Sequence, residues 1–229
     1  MRTLFVLLLA TLLLPTPRVN AERACTNRAL TVTAQLHDYV NVPNDSLLRA
    51  RELVAAVYKK IGVSIEWLPT IRHGNRRSPP QGDDVKPSDR IAQLTMIIVT
   101  GDMAGRGRIP DGVLGYAAVP EDGGMGRIGY VIYHRVRQIA HDAHRDESEL
   151  LAFVLTHETG HLLLGRGVRA TAGLMRCHWE QRDVQQMDAR KLEFLQPHAE
   201  RIRHALENRT SSDDACVTAS SVDPVEHLR

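Results

Sequence analysis

The stretch from Asp146 to Gly165 limits the possible folds more than any other part of this 229-residue chain. Asp146, Glu147 and Glu149 open it, where acidic groups suit the positive end of a helix dipole, and Gly165 closes it. Between them run Leu150-Leu151-Ala152-Phe153-Val154-Leu155 and Leu162-Leu163-Leu164, so the helix is apolar on most of its sides. Such a helix has no face to give to water and must lie inside the molecule. Three polar groups, His157, Glu158 and His161, are buried with it, and burying them without partners is costly.

The rest of the chain supplies the cover. Leu30 to Leu36 alternates apolar and polar residues, as a half-buried strand does. Pro43-Asn44-Asp45-Ser46 offers capping chemistry, and Leu47, Leu48, Ala50, Leu53, Val54, Val57, Tyr58 and Ile61 follow at helical spacing up to Gly62. Strands are expected at Val63–Leu68 and Leu94–Thr100, separated by a loop from Pro69 to Asp89. Two more, Val113–Val119 and Arg127–Tyr133, flank a glycine-rich turn and suit an antiparallel pair near a sheet edge. A last helical region is expected from about Glu180 to Leu206, broken near Pro197, followed by a polar tail from Asn208 to Arg229 that is expected to be disordered. This order of elements predicts an α+β (α/β-like) domain over residues 22–207.

Met1 to Ala21 has an early Arg2, an apolar run from Leu4 to Leu14 and small residues before the expected cleavage point, which reads as a secretory signal. The expected location is therefore secreted or periplasmic, with no membrane attachment after cleavage. Without Arg2 and Arg18 the basic residues only equal the 27 acids, and a nucleic-acid partner, which requires a basic excess, is not expected. The cysteines Cys25, Cys177 and Cys216 allow one disulfide; Cys25 and Cys216 flank the folded region and are the first pair to consider.

His157 and His161 are four apart on the buried helix, so their imidazoles project from one face a turn apart and can share a metal ion. Glu158, one step round, can act as general base toward a metal-activated water. The pattern is short enough to arise in unrelated helices, where the histidines would make ordinary hydrogen bonds.

His157-Glu158-Thr159-Gly160-His161-Leu162-Leu163-Leu164-Gly165, followed by Thr171-Ala172-Gly173-Leu174-Met175-Arg176, resembles the active-site helix and Met-turn of metzincin-like zinc peptidases. More narrowly, it is similar to a group of bacterial secreted proteins in which H-E-x-G-H-L-L-L-G is followed by a third His and then G-[IL]-M-R. The resemblance implies a twisted mixed sheet with a backing helix, a central active-site helix, a Met-turn and C-terminal helices. It implies Zn²⁺ held by His157 and His161, Glu158 as catalytic acid/base, Met175 as the floor beneath the metal, and a peptide or protein substrate added as a strand along the edge hairpin. Arg169, which cannot bind zinc, stands where the family places its third histidine. Cys177 and His178 are the replacement candidates, with Glu180 on the following segment as a rival. The alternative is a degenerate member of the fold, with an incomplete metal site, acting as a binding or regulatory module. Arg166, Arg169, Arg176 and Arg182 would favour acidic substrate side chains if they faced the cleft.

Overall fold

The computed structural model describes residues 30–74, 93–168, 170–176, 179, 181–188 and 191–220. The leader Met1–Ala21 and Cys25 lie outside the described residues. Strand β1 (Leu30–Asp38) is followed by α1 (Asn44–Lys59), β2 (Val63–Trp67), the short β3 (Ile71–Arg72), β4 (Gln93–Val99) and α2 (Gly101–Arg106). Then come β5 (Gly115–Ala118), β6 (Ile128–Ile132), α3 (Tyr133–Asp142), α4 (Glu147–Leu164), α5 (Gln181–Gln186) and α6 (Gln196–Ser220).

The strands form one mixed sheet in the order β2-β1-β4-β6-β5, with β3 also pairing with β1. All pairings are parallel except β5 against β6, so the antiparallel pair sits at the edge as expected. β4 shows why its sequence is a continuous apolar run. Leu94, Met96 and Ile98 enter the large core, whereas Ile97 and Val99 join Tyr39, Met103 and Ile132 on the opposite face. α1 and α4 pack on each other and share the large core with the sheet; α6 packs on α4 in turn. α4 is thereby buried nearly all round, as its composition demands, and Tyr58 of α1 pins it by donating to the Thr156 carbonyl at 3.1 Å.

Several boundaries differ from the expectation. The capping chemistry before α1 is not used: Pro43 occupies the cap position without a side-chain bond, and the Asn44 amide oxygen instead accepts from Arg72 at 2.7 Å. α3 begins where a strand was expected to end, directly after β6 and without a side-chain cap. The expected helical region from about Glu180 to Leu206 is, as expected, broken near Pro197: α5 ends at Gln186 and α6 begins at Gln196. Pro197 lies in the first turn of α6, where its missing N–H has no intrahelical partner to lose. α6 itself continues to Ser220, through the first part of the expected tail.

Candidate metal centre

α4 presents the histidines in a fixed frame. Asp146 caps the helix, its carboxylate accepting from the Ser148 and Glu149 amides at 2.8 and 3.2 Å. At the other end Gly165 takes φ 76° and turns the chain away. Between them His157 Nδ1 lies 2.8 Å from the Leu174 carbonyl oxygen. A carbonyl only accepts, so Nδ1 carries the proton and Nε2 is left with its lone pair. That Nε2 stands 3.0 Å from His161 Nε2. Burial opposes the charged form of both rings, and His161, on which the charges of His157 and then His198 also act, is held at about 4.

Two neutral imidazoles with converging Nε2 atoms fit a divalent cation. Zinc–nitrogen bonds of ~2.0–2.1 Å can be made to both from one point between them. The Leu174 bond is the outer contact that sets tautomer and ring orientation in such sites.

Glu158, 5 % exposed, has its carboxyl pushed up to about 8 by burial. A carboxyl so placed is protonated at neutral pH until a neighbouring cation favours the carboxylate. Its position depends on β5. A Cβ at Gly115 would stand 2.8 Å from Glu158 Cγ and 2.7 Å from the Tyr130 carbonyl oxygen, so only glycine lets the carboxylate lie under the edge strand. Beneath the histidines, a Cβ at Gly160 would stand 2.6 Å from Met175 Sδ. Met175, 0 % exposed, therefore packs directly on the helix at Gly160, between the positions of the two histidines.

A cavity of about 610 Å³ opens beside Glu158 and His157, lined by Gly115, Leu114, Ile139, Phe153, Val154 and Trp179 among others. Trp179 packs edge-on against Phe153 at 4.4 Å and donates to the Arg176 carbonyl. Arg176 lies over the Trp179 ring at 4.9 Å and pairs with Asp183, so this arginine builds the wall rather than offering a free cation to substrate.

The structure thus brings together His157, Glu158, His161 and Met175. Arg169, Cys177, His178 and Glu180 lie outside the described residues. Among the described residues no three His, Cys, Asp or Glu side chains form a group that could hold a metal ion. Sequence reasoning missed Gly115, although an isolated glycine in a strand is itself a signal of close approach. It also missed the Phe153–Trp179 wall, which only tertiary packing assembles.

No protein-family profile matches this chain, and no curated protein matches it. Solved structures do. Archaemetzincin from Methanopyrus kandleri aligns over 79 % of this chain and 98 % of its own, with a TM-score of 0.53 and 16 % identity. A zinc-dependent peptidase from Methanocorpusculum labreanum (strain Z) aligns over 74 % of this chain and 99 % of its own, with a TM-score of 0.50 and 16 % identity. The chain has the archaemetzincin-like metallopeptidase fold.

Proposed function

We propose that this protein is a secreted zinc-dependent peptidase. One observation carries the reading: the Nε2 atoms of His157 and His161 converge to 3.0 Å, with the buried Glu158 beside them under an edge strand. One of the two solved structures above is a zinc-dependent peptidase by name, and its fold is shared by this chain.

Zinc, when bound, supplies a Lewis acid that polarises the scissile carbonyl and acidifies a water. His157 and His161 would hold it, and the Leu174 carbonyl keeps His157 in the ligating tautomer. An extended peptide lies antiparallel or parallel to β5, which among the described residues pairs with no strand on its outer edge. Glu158 accepts a proton from the attacking water and returns it to the departing amine. The cavity walled by Phe153 and Trp179, which also has Asp111, Asp142 and Arg176 in its lining, receives a substrate side chain. The Met1–Ala21 leader would direct the chain out of the cytoplasm, and no helix among the described residues is long and apolar enough to cross a membrane.

Purified protein should carry close to one zinc per chain and cleave a denatured protein substrate. Glu158→Gln should lower turnover by about 10²–10⁴-fold, the contribution of a placed general base, while zinc content is unchanged. Zinc-replete protein that is inert toward a broad peptide library would sink the reading. A chain that takes up no zinc would instead be a binding module on a peptidase fold.

A further inference from the structure

Residues 109–114 join α2 to β5 and border the site. Asp111, Gly112, Val113 and Leu114 line the cavity that also holds His157 and Glu158, and the run continues into Gly115, which lies against Glu158. The run precedes β5, so its carbonyls must find partners outside the named strand. One side chain reaches most of them. Arg135 Nη1 donates to the Pro110 and Val113 carbonyls at 2.7 and 2.8 Å, and Nη2 to the Ile109 carbonyl and the Asp111 carboxylate, each at 3.3 Å. The Asp111 side chain is fully exposed, and a pair made with it contributes little. The three carbonyls carry the hold.

Arg135 acts from a fixed base. It lies on α3, just past the end of β6, and α3 is held by the burial of Val136 and Ala140 and by the Tyr133 hydroxyl, which donates to Glu147 at the start of α4. The Arg135 side chain, 14 % exposed, therefore ties residues 109–113 to the elements that carry β6 and the histidines. A planar guanidinium reaches several acceptors at once, which a lysine ammonium cannot match.

What the run positions follows from the strand it leads into. The Leu114 carbonyl accepts from the Ile132 amide at 2.8 Å, and along an antiparallel strand the residues bonded to the neighbour alternate with those turned away. Gly115 and Ala117 thus turn their main-chain groups to the outer edge of β5. Val113 is next in that alternation, but its carbonyl is engaged by Arg135, so the edge a peptide would use begins at Gly115, beside Glu158.

We propose that Arg135 is a positioning residue for substrate: it holds residues 109–114 as a preformed rim of the cavity and sets the point at which a bound peptide begins to pair with β5. The inference rests on the peptidase reading above. Without the guanidinium the rim is ordered only when substrate arrives, and that ordering is subtracted from binding rather than from the chemical step.

The test uses the zinc-loaded mature chain and a quenched-fluorescent peptide that the parent cleaves. Arg135→Lys keeps the charge and loses the planar fork; it should raise KM by about tenfold and leave kcat within about threefold. Arg135→Gln, which keeps an amide donor and loses the charge, should shift KM in the same direction, and it carries the same test should the lysine variant fold poorly. On a Glu158→Gln background, where peptide binds without being cleaved, Arg135→Lys should weaken Kd by a similar factor with zinc content unchanged. Parent-like KM in the variants, or a fall confined to kcat, overturns the assignment and leaves the peptidase reading intact. A parent that cleaves no peptide overturns both.

Discussion

Two glycines place the chemistry of α4. Gly115 admits the Glu158 carboxylate and Gly160 admits the Met175 thioether, in each case within a distance no Cβ tolerates. Gly115→Ala is the sharper test, because one of the atoms it meets is the Tyr130 backbone carbonyl, which cannot swing aside. Alanine would ordinarily gain about 0.5–1 kcal/mol over glycine in a strand. Here overpacking of about 1–3 kcal/mol outweighs that gain. The variant should unfold at lower denaturant concentration and lose peptidase activity as Glu158 is displaced. A variant as stable and active as the parent would show that β5 does not hold Glu158 in place.

At the level of elements, α1 and α4 are joined by one buried polar contact, Tyr58 to the Thr156 carbonyl. Tyr58→Phe keeps the ring and removes the bond, so chemical denaturation should report a loss of about 1 kcal/mol. The pairing of β1 with β3 carries a pH signature instead. His37, 7 % exposed, lies with its Nδ1 2.9 Å from His73 Nε2, and Tyr39 stacks on the His73 ring. Burial, and then the neighbouring His73, hold His37 below its ordinary value of 6.5. The unfolded chain therefore takes up a proton that the folded one refuses. Stability from this source is complete above 6.5 and falls as pH drops through the lower folded value. Melting temperatures measured at pH 7 and pH 5 should differ more for the parent than for His37→Gln.

For the molecule as a whole, a metal bound only by the folded state stabilises it by mass action. Chelation of zinc-loaded protein should lower the melting temperature, and added zinc should restore it; melting curves indifferent to zinc would argue for the binding-module alternative. The sequence made the central helix, the flanking strands and the edge pair legible, because each shows its own period of apolar residues. The trio His157, Glu158 and His161 was legible for the same reason, since helical spacing alone sets them on neighbouring faces. What did not show was whatever depends on contact between distant segments. α3 lacks a capping residue, so nothing separates it from β6 in the sequence. β3 is too short to carry a pattern. Trp179 looks like any aromatic residue until the fold sets it against Phe153 of α4.

The near-complete burial of α4 also sets an order of events during synthesis. Its partners come from both ends of the fold, Tyr58 on α1 and Phe194 ahead of α6, and the latter leaves the ribosome last. Until then Gly160, with its two histidines on either side, has only part of its packing, and the apolar surface of α4 stands open to other chains. The nascent protein is thus least protected after the helix is made and before its own C-terminal segment arrives. Chains truncated before Phe194 should accumulate as aggregates rather than as a smaller soluble domain.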